Sequence, residues 1–287
     1  VGRPALEPGL GAAHNLAMTS RAQRPLALVT GASSGLGAAF ARAYAARGCD
    51  LALTARRTER LDALAAELAG AHGIEAFSVP ADLAVAGAEE TILAGVAARG
   101  RVVDILVNNA GFSIPQSFAA VPWSRQRDFL MTLVVAPCAL AHAVIPGMVA
   151  RGGGRIINVA SMAGFAPGAA GHSLYPGAKG LMIKFSQALD AEYRAKGLKV
   201  TAVCPGFTQT EFAAANGTQG LMDEAPRLFF QTAEAVVETA IRANEHGNVV
   251  VIPGWHNRLA VALMRYMPDG LVRFAVRKGS AKYHLEG

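Results

Sequence analysis

The chain has 287 residues, 52% of them hydrophobic and only 17% charged, with 31 glycines. That is enough apolar sequence for a large core with many tight turns, and too little charge for a disordered chain. The formal net charge is +6, but Lys and Arg are scattered and no basic run is interleaved with aromatics, so the composition argues against a nucleic-acid partner and for a surface biased toward anionic ligands.

Residues 1–24 are rich in Ala, Gly and Pro without periodicity and are expected to form a disordered tail. No charged start is followed by an apolar run, so no signal peptide is expected, and Met18 is a candidate natural start. Leu26–Thr30 reads as a strand, TGASSGLG follows at 30–37, and Ala38–Arg47 reads as a helix. Strands are then expected at Asp50–Ala55, Ile74–Val79, Val103–Val107, Arg155–Val159, Lys199–Cys204 and Asn248–Ile252. Helices are expected at Thr58–Ala71, Gly87–Ala98, Ser173–Lys196 and Thr232–Asn244. Pro122–Ala150 is a long helical run that Pro137 should break or bend. Its apolar part, Leu133–Val149, suits a core helix better than a membrane span, because it holds His142, two prolines and a glycine.

Strands and helices alternating at this spacing imply βαβ units. The expected fold is α/β: one doubly wound Rossmann-like domain over 25–254 with a seven-stranded, mostly parallel sheet, followed by a C-terminal extension at 255–287. Cys49, Cys138 and Cys204 lie far apart in apolar sequence and are expected to be buried and reduced. No His/Cys cluster has zinc spacing, so no metal site is expected.

Gly31, Gly35 and Gly37 fall between the first strand and the first helix. Glycines there let the backbone turn sharply and approach a pyrophosphate, to which the helix N-terminus offers unpaired N–H groups. Ser33 and Ser34 can add hydrogen bonds to a phosphate. Arg56 and Arg57 follow the second strand in LALTARR, at the edge where an acidic residue would bind a ribose 2′-hydroxyl. Arginine there suits a 2′-phosphate, so the expected cofactor is NADP(H) rather than NAD(H). Farther on, Tyr175 precedes Lys179 by one helical turn. An ammonium beside a phenol favours phenolate, and reaching neutrality from about 10 requires roughly 3 units, or about 4 kcal/mol. A tyrosine tuned in that way can exchange a proton with an alcohol oxygen.

Taken together, these motifs resemble the short-chain dehydrogenase/reductase family, in its Thr-Gly-x3-Gly-x-Gly branch. The likeness runs from about residue 25 to 252 through TGASSGLG (30–37), Asp82, NNAG (108–111), Ser161, YPGAK (175–179) and PGFTQT (205–210). It implies that Gly31, Gly35, Leu36 and Gly37 form the cofactor turn, and that Asp82 and Leu83 meet the adenine. Asn109, Ala110 and Gly111 would line the cofactor's centre, and Pro205, Gly206, Thr208 and Thr210 would hold the nicotinamide carboxamide. It further implies that Ser161 hydrogen-bonds the substrate carbonyl, that Tyr175 is the general acid/base, and that Lys179 binds the nicotinamide ribose and lowers the Tyr175 pKa. Homodimers or homotetramers and a cytoplasmic location are expected of such a protein.

One position departs from the pattern. The family usually carries an asparagine, which helps hold a water linking the catalytic lysine to solvent, where this chain has Leu133. Leucine has no polar side-chain group for that task. Retained NADP(H)-dependent turnover is the favoured expectation; the alternative is a cofactor-binding regulatory or scaffold protein with reduced or lost turnover. His172 is close to the catalytic helix; a solvent-facing loop residue is the favoured expectation, and a pocket-lining one the alternative. Phe112, Ile114, Met162, Phe165 and Phe212, with the apolar segment 210–231, suggest a hydrophobic ketone or secondary alcohol, whether steroid, fatty-acyl or aromatic. The extension carries Arg258, Arg265, Arg273, Arg277, Lys278 and Lys282 around a largely apolar Leu259–Met267. Two readings stand: a helix packed over the pocket or a subunit interface, which is favoured, or a basic amphipathic helix making peripheral contact with an anionic membrane.

Overall fold

The computed structural model describes residues 24–168, 170–209 and 230–280. The first strand, β1 (Leu26–Thr30), leads into α1 (Gly35–Ala46), β2 (Asp50–Thr54), α2 (Thr58–His72), β3 (Ala76–Ser78), α3 (Ala88–Ala97) and β4 (Ile105–Asn108). Then come α4 (Trp123–Leu130), α5 (Ala136–Ala150), β5 (Gly154–Val159), α6 (Tyr175–Tyr193), β6 (Leu198–Val203), the short pair β7 (Thr208–Gln209) and β8 (Gln231–Thr232), α7 (Ala233–Glu245), β9 (Val250–Val251), α8 (Trp255–Tyr266) and α9 (Asp269–Ser280). Seven strands form one sheet in the order β3-β2-β1-β4-β5-β6-β9, every pair parallel. The expected strands and helices are all present, shifted by a few residues at their ends.

Side chains alternate across the sheet, as a strand period of two requires. Ala27, Val29, Leu51, Leu53, Ile105 and Val107 face the layer of α1, α2 and α7, where Phe40, Leu61, Leu68, Val236 and Ile241 close one core. Leu26, Leu28, Ala52, Leu106 and Ile156 face the other side, with Ile92, Leu140, Val144, Met148 and Leu189. Both faces are covered, which is why the strands read as nearly unbroken apolar runs. The chain winds outward one way from β1 and the other way from β4. The order reverses between these two neighbours, and ligands of such sheets bind outside the carboxyl ends of the strands at that reversal.

Pro137 does not interrupt the long helical run. It stands at the start of α5, and residues Met131–Val135 just before it form one wide π turn in which the Ala136 N–H donates to the Met131 carbonyl, five residues back. A proline has no N–H for the carbonyl four residues before it, and widening the turn shifts the pairing past that gap. The run Trp123–Ala150 is long and apolar enough to cross a membrane by length and composition alone. Here Leu140, Ala141, Val144, Ile145 and Met148 are buried against the sheet.

The extension only partly meets the expectation that it packs on the body. α8 lies against residues 162–165 and buries Asn257 and Val261, and α9 buries Val272. Leu259, Leu263, Tyr266, Met267, Leu271 and Phe274 remain exposed. The expected tail at 1–24, apart from Arg24, lies outside the described residues, as do Thr210 and Phe212.

Candidate active site

At the end of β1 the backbone turns through Gly31, whose φ of +67° favours glycine. Gly37 lies so close beneath this turn that a Cβ there would fall 2.1 Å from the Gly31 carbonyl oxygen. Ser34 is the N-cap of α1 but makes no side-chain cap bond, and no acidic residue occupies the first turn. The helix therefore presents its opening N–H groups and positive dipole end to the mouth of the sheet. From the end of β2, the Arg57 guanidinium reaches across to Ser34 Oγ at 2.8 Å and Ser33 Oγ at 3.0 Å. Two hydroxyls and a cation thus gather beside a cradle that admits no side chain. Arg56 stands exposed next in sequence, and Asp82, also exposed, accepts from the Ala84 N–H at 3.0 Å while Leu83 turns into the core.

The NNAG segment is bound to this turn from below. The Thr30 hydroxyl, buried, accepts from the N–H groups of Asn109 (2.9 Å) and Ala110 (3.0 Å) and donates to the Val107 carbonyl. The Asn109 side chain donates to the Thr30 carbonyl at 2.8 Å. Behind it a buried chain runs from Asn108 to Asn158 (2.9 Å) and on to Ser186 (2.9 Å), joining β4, β5 and α6, and the same Asn108 amide reaches the Pro137 carbonyl at 3.3 Å. Gly111 abuts Leu133, whose Cγ would lie 3.4 Å from an added Cβ.

The catalytic candidates converge from two elements. Ser161 follows β5 and caps the short turn Met162–Phe165, its Oγ accepting from the Ala163 N–H at 3.2 Å, which leaves its proton free to donate outward. Gly164 brings that turn onto α6: a Cβ there would sit 2.9 Å from the Gly180 nitrogen and the Lys179 carbonyl carbon. Tyr175 is the first residue of α6, two residues later than the sequence suggested, because Pro176 fits the first helical turn where its missing N–H costs nothing. One turn on, Lys179 is buried, with Nζ 5.7 Å from the centre of the Tyr175 ring and 2.7 Å from the Val159 carbonyl oxygen. Burial lowers its pKa to about 8. Cys204, buried at the end of β6, has its thiol pushed up to about 12 by the same desolvation, so it stays neutral near the lysine.

Leu133 sits within an apolar cluster of Ile114, Val121, Phe129 and Ala178, against which Phe112 and Tyr175 pack. Phe129 lies edge-on to Phe112, centroids 5.6 Å apart, and 6.4 Å from the Tyr175 ring. A small cavity beside Tyr175 is lined by Ile114, Gln116, Gln126, Phe129 and His172. His172 is therefore not a solvent-facing loop residue: the chain entering α6 folds it back so that its ring stands 5.9 Å from Tyr175, half-buried, and burial lowers its pKa. Phe165 and the Pro205 loop lie on the other side, Phe165 packing with Met182, Ile183 and Cys204. The Met162 N–H donates to the Pro205 carbonyl at 3.0 Å, and Thr208 Oγ1 donates to the Gly206 carbonyl at 3.2 Å.

Two contributors carried no signal that singled them out. Thr30 was legible only as the first letter of TGASSGLG, and its role emerges when β1 and β4 become neighbours. Asn257 of α8 is buried, donates to the Pro253 carbonyl at 2.8 Å, and lies so near Gly206 that a Cβ there would come within 2.3 Å of its Oδ1.

A doubly wound sheet with a glycine turn at its switch point and a Ser, Tyr and Lys gathered beyond β5 defines a nucleotide-dependent oxidoreductase of the Rossmann type. The short chain dehydrogenase family matches residues 25–220, and the chain belongs to that family of oxidoreductases. It is 32% identical over 252 residues to an uncharacterized oxidoreductase of Myxococcus xanthus, covering 88% of this chain and 96% of that protein. It is 35% identical over 218 residues to the very-long-chain 3-oxoacyl-CoA reductase of Anas platyrhynchos, covering 74% of this chain and 64% of the relative. Among solved structures, a short-chain dehydrogenase from Sphingobium yanoikuyae in complex with NADPH superimposes with a TM-score of 0.73 at 32% identity, covering 85% of this chain and 96% of that one.

Proposed function

We propose that this protein is an NADP(H)-dependent carbonyl reductase or alcohol dehydrogenase acting on a hydrophobic ketone or secondary alcohol, with Tyr175 as its general acid/base. The observation that carries this reading is the buried Lys179, held one turn behind Tyr175 with its ammonium 5.7 Å from the phenol ring. A cation in that position favours phenolate and readies the tyrosine to exchange a proton.

The choice of NADP(H) is supported by Arg57 with Ser33 and Ser34, a set of donors suited to a 2′-phosphate, and by the NADPH complex of the Sphingobium relative. The side-chain-free cradle of Gly31 and Gly37 and the open N-terminus of α1 fit a pyrophosphate. The nicotinamide, when bound, supplies the hydride. In reduction the Tyr175 hydroxyl gives its proton to the carbonyl oxygen, and Ser161 donates a hydrogen bond to that same oxygen. Lys179 stabilises the phenolate left behind, and in oxidation the proton path reverses. Phe112 beside Tyr175 and Phe165 in the turn after Ser161, both only partly buried, supply apolar surface for the substrate.

The test is NADPH consumption across a panel of bulky and aromatic ketones, with Tyr175→Phe alongside. The variant should still bind NADPH while its rate falls by about 10²-fold or more. NADPH binding by the wild type with no oxidation of NADPH on any ketone would falsify the assignment.

A further inference from the structure

We propose that α8 and α9 form a docking surface for an anionic lipid bilayer. Trp255, Leu259, Leu263 and Tyr266 recur at i, i+4, i+8 and i+11, which places them on one stripe of α8. The opposite side of the same helix carries Asn257 and Val261, and these are the residues it buries against the body. The stripe faces outward: Leu263 is 50% exposed and Tyr266 80%. After a corner at Met267–Pro268, α9 repeats the arrangement, burying Val272 and exposing Leu271 and Phe274, the latter by 68%. Large apolar side chains exposed together on two successive helices mark a contact surface, unlike scattered single ones.

Charge identifies the occupant. Over residues 255–280 the sequence has five basic side chains, Arg258, Arg265, Arg273, Arg277 and Lys278, and one carboxylate, Asp269. Asp269 is itself engaged by Arg273 at 2.5 Å. Arginines on long apolar stems beside Trp, Tyr, Leu and Phe are what an interfacial helix presents to acyl chains and anionic headgroups at once. A face meant for a second protein copy would have to bring this net positive charge against its own equivalent, whereas anionic lipid offers it the opposite sign.

The surface also borders the site. α8 lies on residues 162–165, the turn that Ser161 caps, and Asn257 lies against Gly206. A bilayer held there would sit beside the turn that Ser161 caps.

The experiment is co-sedimentation of the full chain with phosphatidylcholine vesicles containing or lacking phosphatidylglycerol, at low and high salt. Binding should require the anionic lipid and weaken with salt. It should fall about tenfold or more in Leu263→Glu/Phe274→Glu and in Arg273→Gln/Arg277→Gln. NADPH titration of each variant checks that the fold is kept, and it reports on the nucleotide site independently of the lipid result. Failure of the wild-type chain to sediment with anionic vesicles overturns the proposal, as does binding that both variants retain. A vesicle-free dimer that Leu263→Glu/Phe274→Glu dissociates, with no lipid binding, assigns the face to a second copy instead.

Discussion

Lys179 donates a hydrogen bond of 2.7 Å to the main-chain carbonyl of Val159, the last residue of β5. The bond crosses from α6 to the sheet, so the ammonium that faces Tyr175 is anchored to the strand that leads into Ser161. A flexible four-carbon stem becomes a fixed charge because its far end is held by rigid backbone.

Burial of that charge gives a pH signature. The folded lysine titrates at about 8 and an unfolded one near 10.5. The folded state therefore binds the proton less tightly, and the destabilising contribution is fully present below the folded value and disappears as pH rises through the interval. The urea midpoint of Lys179→Met, measured cofactor-free, should exceed that of wild type by more near pH 7 than near pH 10. Cys204, whose thiol is raised to about 12, acts in the opposite sense above about pH 9, so the difference between the two proteins is the quantity to follow. A constant difference across that range would remove the assignment.

Arg57 should set cofactor preference. Its two hydroxyl contacts place the guanidinium beside the glycine turn, and a hydrogen bond to a charged group contributes about 1.5–3 kcal/mol. Arg57→Ala is expected to weaken NADPH by about 10- to 100-fold and NADH by little. Calorimetric titration with both nucleotides checks it; equal losses for the two would point to a general electrostatic role.

Leu133→Asn should not restore a lost function. The side chain is 2% exposed among Ile114, Val121, Phe129 and Ala178. An amide placed there forfeits apolar burial and buries polar atoms, at a cost of about 2–4 kcal/mol. The expected result is a lower melting temperature and no faster NADPH oxidation, with Leu133→Met within about 1.5 kcal/mol of wild type. A faster, equally stable Asn variant would reverse this reading and show that a polar group at that position matters for turnover.

Thr30→Val tests the clasp between β1 and β4. The substitution keeps shape but leaves the N–H groups of Asn109 and Ala110 without their acceptor, at a cost of about 2–4 kcal/mol in all. Chemical denaturation should show that loss, and NADPH affinity should fall with it because Asn109 also holds the glycine turn. Unchanged stability would mean that water replaces the hydroxyl.

Much of the fold was legible because its signals are local. The period-two apolar strands, the glycines after β1 and the helical spacing of Tyr175 and Lys179 each depend on neighbours a few residues away. The wide turn at Met131–Val135 was harder to read: Pro137 announces a disturbance, but whether the helix breaks or widens depends on what packs around it, here Gly111 against Leu133 and Asn108 on the Pro137 carbonyl. His172 misled because its exposure is set by how the loop enters α6, which composition does not encode.

The sequence by itself determined the layer architecture, the phosphate-binding turn and the pairing of phenol with ammonium, since backbone sterics and side-chain period act within a few residues. Tertiary structure decided which groups meet across long separations. It put Lys179 on Val159, Arg57 on Ser33 and Ser34, and Asn257 against Gly206, and it left the apolar stripe of α8 facing outward. Those contacts join elements far apart in the chain, and only the packing of helices on a twisted sheet brings such residues within a few ångströms of each other.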